Sequence, residues 1–95
     1  MLENDVAVLG FVDIDNFKSV NDTYGHNTGD FWIREIAAVL QEMCGSSDIA
    51  CRYGGDEYIL FLQNIGNLDD LTERIEGFRK KVHDKAAERE QDVHC

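Results

Sequence analysis

The sequence predicts an α+β fold: a small antiparallel sheet with helices packed on it, in the order strand, helix, strand, strand, helix. Three observations predict it. The run VAVLGFVDID is apolar on both parities up to Asp13, the pattern of a strand covered on both faces. Ile33, Ile36, Ala37, Leu40 and Met43 recur at helical spacing. DIACRY and YILFL are short apolar or aromatic segments separated by four residues, two of them glycine, which reads as a hairpin.

Taken in order, the first strand ends at Asp13, and NFKSVNDTYGHNTGD after it is rich in turn residues, punctuated by Gly25 and Gly29. The first helix is expected to begin near Phe31, with Gly45 placed as its C-cap. After the hairpin, Asn67 followed three residues on by Asp70 predicts the capped start of a second helix. Leu68, Leu71, Ile75, Phe78 and Val82 give that helix one apolar stripe. With no proline in the chain, neither helix has an early breaker. Beyond Val82 the tail HDKAAEREQDVHC is polar. A ferredoxin-like βαββαβ unit sets one more strand beside the first, so the expected sheet is βαββα(β) with terminal elements missing.

At 95 residues and 43% hydrophobic content, the chain holds one small domain over 1–95 with enough apolar material for a core. Nineteen acidic residues against nine basic ones give a net charge of −10, a field that repels nucleic acid and suits hard divalent metals. The three cysteines are scattered without a CxxC pair, which points to reduced thiols and a cytoplasmic setting. No signal-peptide pattern and no bilayer-length apolar run occurs.

The chemistry-bearing residues cluster in two stretches. Asp13 and Asp15 lie two apart where a buried strand ends, so both side chains can leave on one face. A carboxylate there is costly unless paired or bound to a cation, which favours a ligand role for Asp13, while Asp15 reads equally well as an N-cap. DIDNFKSVNDTY is not a calcium loop, because Lys18 stands where the loop requires glycine and Tyr24 where it requires glutamate. A P-loop is absent as well. In the second stretch, Gly54, Gly55, Asp56 and Glu57 form the hairpin tip. If the hairpin lies antiparallel beside the first strand, its acids approach Asp13, and such a cluster needs divalent cations. The glycines would then let backbone and phosphate come close. An ordinary glycine-containing loop with two exposed acids explains the same spacing.

DIDNFKSVNDTYGHNTGD followed by RYGGDEY closely resembles the GGDEF family of diguanylate cyclases. The first motif matches through Asp13, Asp15, Phe17, Lys18, Asn21, Asp22, Gly25, His26, Gly29 and Asp30, at the family's usual distance from the second. The resemblance covers essentially the whole chain, as the middle of that domain, and implies its nucleotidyl-cyclase variant of the ferredoxin-like fold.

By that resemblance, Asp13, Asp56 and the Ile14 carbonyl would ligate Mg²⁺ or Mn²⁺. Glu57 would be a further ligand or a proton acceptor, and Asp56, Glu57 and Lys18 would form the catalytic set. Asn21 and Asp30 would read guanine, whose ring N–H and exocyclic amine suit such acceptors; left unpaired by adenine, these groups would reject it. Asn16 and Phe17 would offer backbone N–H groups to phosphates, Gly54 and Gly55 would allow close approach, and Lys18 would offset charge. The plain alternatives are a turn residue for Asn21, a helix N-cap for Asp30 and a solvated charge for Lys18. Asp22, Gly25 and His26 keep structural readings.

The implied reaction condenses two GTP into cyclic di-GMP and pyrophosphate by two-metal-assisted phosphoryl transfer across a homodimer. The alternative is an inactive GGDEF module that binds GTP or cyclic di-GMP to regulate a neighbour; a dimerisation domain is a further one. Fused sensory or receiver domains are expected outside the chain, and these 95 residues alone are expected to turn over poorly. Two departures from the family stand out. Tyr58 replaces its phenylalanine, and in its RxxD element, Gly45-Ser46-Ser47-Asp48 here, glycine stands where the family carries arginine. That loss implies weak feedback inhibition.

Overall fold

The computed structural model describes residues 6–95. The elements are β1 (Val6–Asp13), α1 (Phe17–Tyr24), α2 (His26–Met43), β2 (Ile49–Gly54), β3 (Glu57–Ile65) and α3 (Leu68–Glu88). The sheet is three-stranded and antiparallel in the order β1-β3-β2, so the hairpin partner β3 lies directly against the first strand.

One face of this sheet makes the core. Tyr58, Leu60 and Leu62 of β3 meet Trp32, Ile36, Val39 and Leu40 of α2 and Phe78, Val82 and Ala86 of α3, all of them buried. Alternation along a strand sends the other parity to the opposite face. There Leu9 and Phe11 of β1 are 60% and 71% exposed. The expectation that the first strand is covered on both faces therefore does not hold among the described residues.

The turn-rich stretch after Asp15 is helical. Short polar residues favour turns, but Phe17, Val20 and Tyr24 fall at helical spacing, with Val20 buried and the two aromatics half-buried. That stripe wins α1 over a turn. Gly25 separates α1 from α2 at φ 93°, a left-handed backbone that favours glycine. α2 accordingly begins at His26 rather than near Phe31. It ends at Met43 with Cys44, in extended conformation, as its C-cap, so Gly45 falls one residue beyond the cap.

Asn67 caps α3 as the sequence indicates, its side-chain oxygen accepting from the Asp70 amide at 2.8 Å. The apolar stripe is buried only in its later part: Leu68 is 77% exposed, whereas Phe78 and Val82 are in the core. α3 then runs past Val82 to Glu88. The polar-looking tail turns back onto the body, where Trp32 donates its indole N–H to Gln91 Oε1 at 2.7 Å and Val93 is fully buried. The Asp15 amide donates to the His94 carbonyl at 2.8 Å.

Candidate functional site

The end of β1 and the hairpin tip are one structure. In the β1–β3 register Asp13 is the direct partner of Glu57, and the Ile14 amide donates to the Asp56 carbonyl at 3.2 Å. Across the hairpin Gly54 is the partner of Glu57, and Arg52 Nε donates to the Gly55 carbonyl at 3.0 Å, which pins the tip. Backbone pairing thus sets Asp13 beside Glu57 and Ile14 beside Asp56, but among the described residues the three acids do not gather around one point, as the expected cluster would. Asp13 and Glu57 are exposed and, with Phe11 and Val12, line one hollow; Asp56 is half-buried.

Like charges directly opposite each other on paired strands are destabilising. None of the described ion pairs engages Asp13, Asp15, Asp56 or Glu57. These carboxylates and the Ile14 carbonyl are hard oxygen donors that could hold a divalent cation. Among the described residues no group of three His, Cys, Asp or Glu side chains is preassembled around one ion position. Mg²⁺ is in general held by one or two carboxylates completed by water and substrate phosphate. Cys95 sits beside this corner: burial first, then the charges of Asp15 and Asp13, push its thiol up to about 12.

Gly54 and Gly55 are not explained by the fold. Neither adopts the left-handed backbone, and a Cβ at either would meet no heavy atom within 4 Å. The turn does not require them and packing does not exclude a side chain. They leave open space beside the acids.

α1 carries a second group. Asn16, at φ 52°, precedes its first turn and offers no side-chain cap. The opening N–H groups at Lys18 and Ser19 therefore lack the usual cap acceptor, an arrangement suited to anions. Lys18 is exposed and in none of the described ion pairs. One turn on, Asn21 lies against α2. The plain alternatives for Asn21 and Asp30 fail here, whereas Lys18 stands as the solvated charge of its alternative. Asn21 is within α1, and Asp30 lies inside α2, exposed, five residues past the N-cap Gly25.

Two contributors carried no role in the sequence reading. Arg52 lies within RYGGDEY, and nothing in its residue type announces that it holds the tip. Gly29 read as punctuation but is buried within α2. A Cβ there would lie 1.8 Å from Asn21 Oδ1, and that oxygen is buried without a hydrogen-bond partner.

An α+β sheet thus presents acids from a strand end and a glycine-flanked hairpin tip near a helix start without a side-chain cap, and the class of domain this fits is the nucleotidyl-cyclase fold that the sequence resembles. The family model described as "Diguanylate cyclase, GGDEF domain" matches residues 2–95, and the chain belongs to that family. It is similar to diguanylate cyclase DosC of Escherichia coli (strain K12), 42% identical over 78 residues, 80% of this chain and 17% of that protein. Diguanylate cyclase A of Treponema denticola is 42% identical over 77 residues, 79% of this chain and 20% of that protein. The chain spans at most about a fifth of these relatives' length. Among solved structures, the GGDEF domain of DgcB from Caulobacter crescentus, in complex with c-di-GMP, superposes with a TM-score of 0.72 at 34% identity, covering 81% of this chain and 44% of that one. No described helix is long and apolar enough to cross a membrane.

Proposed function

We propose that this domain belongs to an active diguanylate cyclase, which condenses two GTP into cyclic di-GMP with release of pyrophosphate. The observation that carries this reading is the hairpin tip: two glycines that neither backbone nor packing requires, beside acids on paired strands that no ion pair among the described residues neutralises. Open space next to unneutralised carboxylates is what a cation-bound triphosphate needs.

In this reading Asp13, Asp56 and the Ile14 carbonyl hold Mg²⁺ or Mn²⁺, with Glu57 as a further ligand or as proton acceptor. The cation, when bound, offsets phosphate charge and makes the attacking hydroxyl more acidic. Asn16 and Phe17 present backbone N–H groups to the phosphates, and Lys18 adds the positive charge that a chain of net charge −10 otherwise lacks there. Gly54 and Gly55 admit the phosphates to the tip, and Asn21 and Asp30 accept from the guanine edge. Each 3′-hydroxyl attacks the α-phosphorus of the other nucleotide, forming a P–O bond as the bond to pyrophosphate breaks. Two domains, each holding one GTP, must face each other, and their alignment supplies much of the rate.

The test is to incubate the full-length protein with GTP and Mg²⁺ and to follow pyrophosphate and cyclic di-GMP. Both should appear in a 2:1 ratio, as the balanced reaction requires. Binding of GTP with no pyrophosphate would instead favour a regulatory module.

A further inference from the structure

We infer that Gly29 is a positioning residue for base recognition: the missing side chain at 29 is the seat of the Asn21 carboxamide. This rests on the assignment of Asn21 as a guanine contact. Glycine within a helix weakens it relative to alanine, and Gly29 lies inside α2, four residues past its N-cap Gly25. It does not adopt the left-handed backbone, so no local conformation demands glycine there. What occupies the vacant volume is specific. A Cβ on Gly29 would fall 1.8 Å from Asn21 Oδ1, 2.9 Å from its Cγ and 3.2 Å from Phe17 Cζ.

The second observation concerns the same side chain. Asn21 Oδ1 is buried and accepts no hydrogen bond in the protein, a deficit that native structures ordinarily avoid. Two local costs, a glycine inside a helix and an orphaned amide oxygen, therefore fall on one side chain. Features that weaken a fold and converge on one group point to function rather than stability. The carboxamide has donor and acceptor ends that are nearly indistinguishable in shape; whichever end faces Gly29, a methyl there displaces it. The obstructed group is the end of a side chain, which can swing aside, so a substitution moves the reader rather than the helices. Phe17, one helical turn before Asn21, closes the far wall of the seat and couples it to the start of α1.

The experiment compares wild type with Gly29→Ala, Asn21→Ala and the double variant in the full-length protein. Calorimetry would use the α,β-methylene analogues of GTP and ATP, which cannot release pyrophosphate, and far-UV circular dichroism would report the fold. Gly29→Ala should lower affinity for the guanine analogue about tenfold or more while leaving the adenine analogue unchanged. Asn21→Ala should do the same, and the double variant should be no worse than Asn21→Ala, because both act through one side chain. If Gly29→Ala alone fails to fold, the double variant should recover the fold, since it removes the obstructing carboxamide. Losses that add in the double variant, no recovery of fold, or undiminished guanine preference in Gly29→Ala would each overturn the inference. Wild type without guanine preference would remove the assignment of Asn21 as well, which separates the two failures.

Discussion

Asp13 and Glu57 are direct partners across the β1–β3 ladder, and the next bond along, from the Ile14 amide to the Asp56 carbonyl at 3.2 Å, locks the hairpin tip to the end of the first strand. Backbone pairing, not side-chain attraction, brings these acids together. Their carboxylates are therefore free to be altered without dissolving the structure that gathers them.

This separation makes the first prediction sharp. Asp56→Asn keeps the carbonyl that receives the Ile14 amide, and Glu57→Gln keeps the strand register. Each should lower pyrophosphate release from GTP by roughly a hundredfold or more, the scale of losing a proton-transfer or charge-stabilising group. Far-UV circular dichroism should match wild type. Full turnover in either variant would remove these residues from the site.

Asp48 is a structural acid. Its two oxygens accept from the Gly45 amide at 2.7 Å, the Gln63 amide at 2.8 Å and Arg74 Nη2 at 2.9 Å. Burial alone would raise its pKa, but these hydrogen bonds and the Arg74 charge outweigh it and hold the group below the usual carboxylate value. Asp48→Ala should cost about 2–3 kcal/mol, because charge-assisted partners are left unpaired. For a domain of this size that lowers the melting temperature by roughly 10–20 °C. The sign of the pH dependence follows from the lowered folded-state pKa. The contribution is complete above the unfolded value of about 3.9 and is lost as pH falls through the folded one. The stability gap between wild type and variant should stay constant from neutral pH to about 5 and close in stronger acid.

The same geometry bears on feedback. Gly45 stands where the family carries the arginine of its RxxD element, and Asp48, which the family retains, is committed to partners within the chain. Cyclic di-GMP should therefore bind weakly at this element. Calorimetry showing tight binding that Asp48→Asn abolishes would reverse that conclusion.

Much of the architecture was legible because it rests on periodicity. The hairpin, the Asn67 cap and the stripe through Phe78 and Val82 follow from spacing alone. α1 was hidden, since Asn21, Asp22 and Thr23 are turn-formers and only three apolar side chains argue for a helix. The open face of β1 was hidden for another reason: an apolar run is compatible with two covers, and the helices supply one. At the site, identities were legible but constraints were not. Gly29 looks like any turn glycine until Asn21 is placed against it. Tyr58 stands where the family carries phenylalanine, and its buried hydroxyl donates to the Ile33 carbonyl and ties β3 to α2. Burial is the main cause that pushes this phenol up to about 12, so it stays a donor across the working pH range.

The return of the chain after α3 gives the last prediction. Trp32 binds Gln91, Val93 is fully buried, Tyr24 Oη accepts from the Asp92 amide at 3.0 Å, and the Asp15 amide reaches the His94 carbonyl. This segment therefore braces the loop between Asp13 and α1, where the phosphates are proposed to sit. Val93→Ala removes two methyl groups from the core and should cost roughly 1–2 kcal/mol. Its effect should also be local. Amide hydrogen exchange should accelerate at Asp15 and Gln91 more than at Leu60 or Leu62, because the brace opens before the sheet does. Equal acceleration at all four would mean that the segment unfolds only with the domain and holds no loop in place.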